Sequence, residues 1–214
     1  MKKNMILKNF IVFEGIDGAG TSTQINILKQ RKEAGGFFFT AEPSGSQTGK
    51  FLRSMLKGEL ELDPRTSAYL FAADRAEHLW GADSENCGIE KKCLEGKTVV
   101  SDRYLFSSLT YQSVTCGEEL PRLLNSTFPL PQLLFFFKIN PETSLKRVDG
   151  RGEREIYEKI EFLKAAEERY EKLMDEYDAK KTGMKIIRLD AEKPREELAA
   201  EIWNEISNEV LQKS

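Results

Sequence analysis

Short apolar runs alternate with longer stretches of helical spacing along the whole 214-residue chain. Phe10–Phe13, Phe37–Phe39, Thr98–Ser101, Leu133–Ile139 and Lys185–Leu189 read as strands. Near-continuous apolar strands belong to a sheet covered on both faces, and their alternation with helices predicts parallel pairing. The clearest helix spans about 153–179, where Ile156, Ile160, Leu163, Tyr170, Leu173 and Tyr177 recur at helical steps and Ala166 fills the one gap. Parallel strands need right-handed crossovers, so the expected fold is α/β, a three-layer doubly wound sandwich around a five-stranded parallel sheet. Its length suits a single domain over residues 1–214. In such sheets ligands bind beyond the carboxyl ends of the strands.

Composition narrows the function classes. Hydrophobic residues make up 40% and charged residues 31%, which argues against global disorder. Thirty-two basic residues against 35 acidic ones leave a net charge of −3, with no basic footprint for polymeric nucleic acid. An anionic ligand must therefore be caught by a local cluster of donors. Cys87, Cys93 and Cys116 form no CxxC pair, so neither a disulfide framework nor a structural zinc site is expected, and a cytoplasmic home is. The opening MKKNMILKNFIVFEG is interrupted by Lys8, Asn9 and Glu14 and makes no signal core. The strongest apolar run, Leu133–Phe137, is far too short to span a bilayer, so no membrane partner is expected.

The chemistry begins directly after the first strand. Gly15-Ile-Asp17-Gly18-Ala19-Gly20-Thr21-Ser22-Thr23 precedes a helical pattern from Gln24 to Ala34. Glycines let the backbone turn tightly enough for several N–H groups to converge on phosphate oxygens, and the following helix adds the positive end of its dipole. The general pattern GxxxxGK[ST] is complete except at one position, where Thr21 replaces lysine. A threonine hydroxyl can donate but carries no charge, and losing one stabilising donor typically costs ~10²–10³ in turnover. A second stretch, Gly45 to Lys50, has the wrong spacing and no following hydroxyl.

Six further stretches follow in order. They are Glu42-Pro43-Ser44-Gly45-Ser46 with Gly49 and Arg53, Leu70-Phe71-Ala-Ala-Asp74-Arg75-Ala-Glu-His78, Asp102-Arg103-Tyr104 with Ser107, Ser108, Tyr111 and Gln112, Pro141 to Arg147, Arg151-Gly-Glu-Arg154, and Asp190-Ala191. From about residue 10 to residue 200 this series resembles the thymidylate kinase family.

The resemblance implies a P-loop kinase with a helical lid over about residues 147–158. Such an enzyme transfers a phosphoryl group from ATP to dTMP, giving dTDP and ADP, with Mg²⁺. It implies that Gly15, Asp17, Gly18, Ala19, Gly20, Thr21, Ser22, Thr23 and Arg147 hold ATP. Ser22 would ligate the metal directly and Asp102 through water. Asp17 would hold the acceptor sugar; Phe71 would stack on the base and Arg75 would donate to its carbonyl edge. Glu42, Ser107, Ser108, Tyr111 and Gln112 complete that acceptor site, while Arg53 and Arg103 grip its phosphate in forked contacts. His78 is read as structural, since phosphoryl transfer needs positioning and charge rather than a strong base. The expected partners are small-molecule nucleotides and a second copy in a homodimer.

Departures from the family pattern sharpen the picture. Ala41 stands where arginine usually precedes Glu-Pro, and Gly18 where one branch carries arginine. The other branch reaches over ATP with lid arginines, which makes Arg151 and Arg154, with Arg103 and Asp102, the candidates for transition-state work. Two alternatives remain at this level: an impaired nucleotide-binding homologue acting as regulator or scaffold, and a kinase for another pyrimidine deoxynucleotide.

Overall fold

A computed structural model describes residues 5–82, 87–148 and 153–212; the side chains of residues 153–159 lie outside that description. Strand β1 (Ile6–Gly15) leads into α1 (Thr21–Lys29), and β2 (Phe38–Ala41) into α2 (Gln47–Leu56), α3 (Pro64–Trp80) and α4 (Ile89–Leu94). Strand β3 (Val99–Asp102) is followed by α5 (Leu105–Ser107), a π-turn over Ser108–Gln112, α6 (Ser113–Cys116) and α7 (Glu119–Asn125). The chain closes with β4 (Leu130–Lys138), α8 (Pro141–Val148), α9 (Glu153–Ala179), β5 (Lys185–Asp190) and α10 (Arg195–Ile206).

The sheet has five strands in the order β2-β3-β1-β4-β5, all parallel. Phe10, Ile11, Val12 and Phe13 are all 0% exposed, as are Leu133 to Phe137. Successive strand side chains point to opposite faces, so unbroken burial means that both faces are covered. Phe13 packs on Phe135 and Phe137, with ring centroids 5.0 and 5.5 Å apart, and ties the two central strands together. Removing such a buried ring typically costs ~3–5 kcal/mol.

Two expectations shift by a few residues. The helix after the loop stops at Lys29, and Lys32–Ala34 forms a separate 3₁₀ turn, because Arg31 is extended (φ −75°, ψ 133°). Strand β3 runs one residue further than expected and ends on Asp102, opposite Phe13 of β1 and Ala41 of β2. Helix α9 buries Ile160, Leu163, Ala166, Tyr170 and Leu173 as its spacing predicts. Among the described residues no helix is long and apolar enough to cross a membrane.

Candidate active site

The phosphate loop is shaped by where the chain cannot carry a side chain. Gly18 (φ 81°) and Gly20 (φ 95°) are left-handed, a conformation that strains L side chains. A Cβ on Gly18 would also come within 2.7 Å of the Ser144 carbonyl and 2.9 Å of Val148 Cγ2. Helix α8 presses on the loop there, and the Ser144 hydroxyl donates to the Asp17 carbonyl. That packing and the left-handed backbone leave no room for a side chain at residue 18.

Residues Ile16 to Gln24 line a cavity of about 660 Å³ together with Asp102, Arg103, Arg147 and Ala191. Thr21 opens α1 and is buried, so the first turn of the helix faces the ligand space with hydroxyls and amides but no ammonium group. Arg147 donates to the Ala191 carbonyl at 3.2 Å and to the Gly18 carbonyl at 3.4 Å, joining the loop to the Asp190-Ala191 turn. Gly15 lies outside this lining. A Cβ on it would meet the Phe137 carbonyl at 2.8 Å, so its contribution is close strand packing.

The Ser22 hydroxyl donates to Asp102 Oδ2 at 2.5 Å, while Asp102 Oδ1 is buried with no hydrogen-bond partner. A hydroxyl beside a carboxylate with a spare oxygen suits Mg²⁺, which takes few protein ligands and keeps waters and phosphate oxygens. No group of three or more His, Cys, Asp or Glu side chains that could hold a metal ion is found among the described residues.

Arg103 follows Asp102 in a left-handed conformation, φ 71°, with its N–H bonded to the Phe13 carbonyl at 2.9 Å. Its Nη1 donates to the Gly15 carbonyl (3.0 Å) and the Ser107 hydroxyl (3.1 Å), and its Nη2 to Asp17 Oδ1 (2.6 Å). The Asp17 side chain is 54% exposed, so this pair is a loose latch that an incoming ligand can reorganise.

A second cavity, of about 460 Å³, opens on the other side of Arg103. Of the expected acceptor residues, Asp17, Glu42, Phe71, Arg75, Ser107, Tyr111 and Gln112 line it. Phe162 of α9 also lines it and stacks on Tyr111, with centroids 5.8 Å apart. Gln112 Oε1 is buried and has no hydrogen-bond partner among the described residues.

Arg75 is 1% exposed and held from three sides. Its Nε and Nη2 donate to Glu42 Oε2 at 2.9 and 2.6 Å, Nη2 also to Ser108 Oγ at 3.1 Å, and Nη1 to Asn125 Oδ1. A guanidinium has five N–H groups, so one on Nη1 is left for a ligand. His78, fully buried, reaches Thr40 Oγ1 (2.6 Å) and Glu42 Oε1 (3.3 Å), a structural role as expected.

Of the expected acceptor residues, Ser108 and Arg53 do not line this cavity, and Glu42 lines it with its carboxylate bound within the protein. Ser108 sits behind Arg75 and is 2% exposed, outside the cavity lining. The Glu42 carboxylate is engaged by Arg75 and His78. Arg53 donates to the Pro43 carbonyl at 2.6 Å and lines an adjoining cavity of about 310 Å³ with Ser22, Lys29, Ala41 and Asp102. Buried Asp74 braces that loop by accepting from Ser44, Ser46 and Thr48. Burial opposes its charge, but the hydrogen bonds from Ser44, Thr48 and Ser46 outweigh it and hold the carboxyl below its usual range. Arg151 lies outside the described residues, and so does the side chain of Arg154.

Asp74, Asn125, Phe162 and Glu14 were not reachable by motif reading as site residues. Asp74 lies in the Leu70–His78 stretch, but nothing in its spacing reveals the loop it braces.

Comparison with known proteins points the same way. A family model described as thymidylate kinase matches residues 13–202. The chain is 40% identical over 195 residues to a putative thymidylate kinase of Treponema pallidum, covering 90% of each protein. It is 41% identical over 175 residues to a probable thymidylate kinase of Methanocaldococcus jannaschii, covering 81% of this chain and 86% of that one. A thymidylate kinase of Malacoplasma penetrans is 32% identical over 213 residues, with 94% and 96% covered. With a family model matched over residues 13–202 and relatives at 32–41% identity over most of its length, the chain belongs to the thymidylate kinase family.

Proposed function

We propose that the chain transfers the terminal phosphoryl group of ATP to dTMP, giving dTDP and ADP, as a single kinase domain over residues 1–214. The observation that carries this reading is that Asp17 and Arg103 line both cavities. A donor phosphate on the loop and an acceptor phosphate in the second cavity would meet at one guanidinium. Positioning and charge neutralisation are most of what phosphoryl transfer requires.

On this reading the loop amides and Arg147 hold ATP, and Arg103 and Arg53 orient the acceptor phosphate from two sides. Phe71 offers the base a flat apolar surface. Arg75 would offer a donor and Gln112 Oε1 an acceptor to a base in the cavity that both line, a pair suited to the carbonyl and ring N–H of thymine or uracil. Cytosine presents the opposite pattern, and mismatched buried polar groups are strongly rejecting. Ser22 and Asp102 would hold Mg²⁺, which when bound neutralises charge on the bridging phosphate oxygens.

Thr21 and Ala41 leave the transfer zone short of two cations, and Arg151 and Arg154 are the proposed replacements, brought in by a lid over about residues 147–158 that also excludes water. A cytoplasmic homodimer is the accompanying expectation.

The test is ADP release with Mg²⁺ and ATP across dTMP, dUMP, dCMP and dGMP. Turnover should be highest with dTMP and near background with dCMP and dGMP. A methyl is worth only ~1–3 kcal/mol, so dUMP should be a weaker but measurable acceptor. Activity with dCMP equal to that with dTMP would overturn the base-pocket assignment.

A further inference from the structure

Glu14 immediately precedes Gly15 at the carboxyl end of β1 and is 0% exposed. A carboxylate there is expensive to bury, and nothing in the chemistry above uses it. Yet four donors converge on it: the Tyr104 N–H (2.8 Å), the Ser107 N–H (3.1 Å), the Ser107 hydroxyl (2.7 Å) and the Tyr170 hydroxyl (2.8 Å). The first three belong to the segment immediately following Arg103. The fourth comes from α9 (Glu153–Ala179).

Arg103 needs such support. Its φ of 71° is sparsely populated by residues with a Cβ and persists only where the surroundings fix it. Its Nη1 rests on the same Ser107 hydroxyl that donates to Glu14, and on the carbonyl of Gly15, the next residue along. One carboxylate thus fixes both the backbone that carries the guanidinium and the hydroxyl on which it rests. The Tyr170 hydroxyl lies 3.0 Å from Ser107 Oγ as well, closing the triangle.

We propose that Glu14 is a positioning residue for phosphoryl transfer: it sets where the Arg103 guanidinium stands and, through Tyr170, ties that placement to α9. The proposal rests on the reading of Arg103 as a phosphate-binding group.

The experiment measures kcat and KM for dTMP and for ATP separately in Glu14→Gln, Tyr170→Phe, Arg103→Lys and the Glu14→Gln/Arg103→Lys double variant. Misplacing a guanidinium by about 1 Å should lower kcat/KM for dTMP roughly 10²-fold in Glu14→Gln, with KM for ATP nearly unchanged. Tyr170→Phe, which removes one oxygen, should lose roughly tenfold in the same parameter. The double variant should be no worse than Arg103→Lys alone, because both changes act through one group. Additive losses in the double variant would overturn the proposal in favour of a general structural role. A crippled Arg103→Lys beside an unimpaired Glu14→Gln sinks the proposal alone; Arg103→Lys matching wild type sinks the reading of Arg103 and the proposal with it. If Glu14→Gln does not fold, Tyr170→Phe combined with Arg103→Lys completes the same cycle and decides by the same criteria.

Discussion

The Ser22 hydroxyl and the Asp102 carboxylate stand 2.5 Å apart, joining the first turn of α1 to the last residue of β3. Register explains the meeting: Asp102 pairs with Phe13 on one side and Ala41 on the other, which sets it level with the start of the loop. Ser22→Ala should lower kcat by about 10²-fold and raise the Mg²⁺ concentration needed for half-maximal rate. Asp102→Asn should do the same. A magnesium titration that is unchanged in both variants would contradict the metal assignment.

Arg75 and Glu42 form a pair at 2.6 Å with side chains 1% and 5% exposed. Breaking a buried pair by removing one partner strands the other charge, which costs roughly 3–5 kcal/mol. Arg75→Met should therefore lower unfolding stability by about that amount in urea and abolish discrimination against dCMP. Arg75→Met combined with Glu42→Gln should recover much of the stability but none of the discrimination. Full recovery of both would show that Arg75 does not read the base.

What the sequence reveals and what it hides follow from sequence distance. The five strands are legible because each carries a short apolar run between helical stretches, and the phosphate loop because its glycines and hydroxyls fall within nine residues. Phe71 and Arg75 are one turn apart on α3, so a local motif carries both. Glu14 is different: its bond to Tyr170 spans 156 positions, and no spacing rule connects them. The same holds for Arg75 with Asn125, 50 positions away, and with Ser108, 33 positions away. Motifs locate the cavities; only the packed fold tells which polar groups face the ligand and which support them.

Burial pushes the Glu14 carboxyl up to about 7, against opposing effects from Arg103 and from hydrogen bonds of Ser107, Tyr170 and Tyr104. An acid whose folded pKa exceeds its unfolded value binds its proton more tightly when folded, so its contribution is greatest at low pH. That contribution falls as pH rises from about 4.5 through about 7 and is flat above. Relative to Glu14→Gln, which cannot titrate, wild type should lose about 2–3 kcal/mol of stability between pH 5 and pH 8. Denaturant midpoints at the two pH values measure this. A constant difference between the proteins would contradict it.

Thr21 leaves the loop without its usual ammonium group. If the lid arginines substitute for it, Arg151→Ala and Arg154→Ala should each reduce kcat by roughly 10²-fold. Adding Thr21→Lys to either should restore part of the loss, since the missing quantity is charge at the transferring group. Steady-state rates of the single and double variants decide. Lid variants as fast as wild type would remove the arginines from the mechanism.

The most direct measurement separates the nucleotide products formed by the purified chain from ATP, Mg²⁺ and dTMP. If the loop amides and borrowed guanidiniums suffice for transfer, dTDP and ADP appear in equal amounts and only when all three reactants are present. Binding of both nucleotides with no dTDP formed would contradict that and leave a nucleotide-binding homologue in place of a kinase.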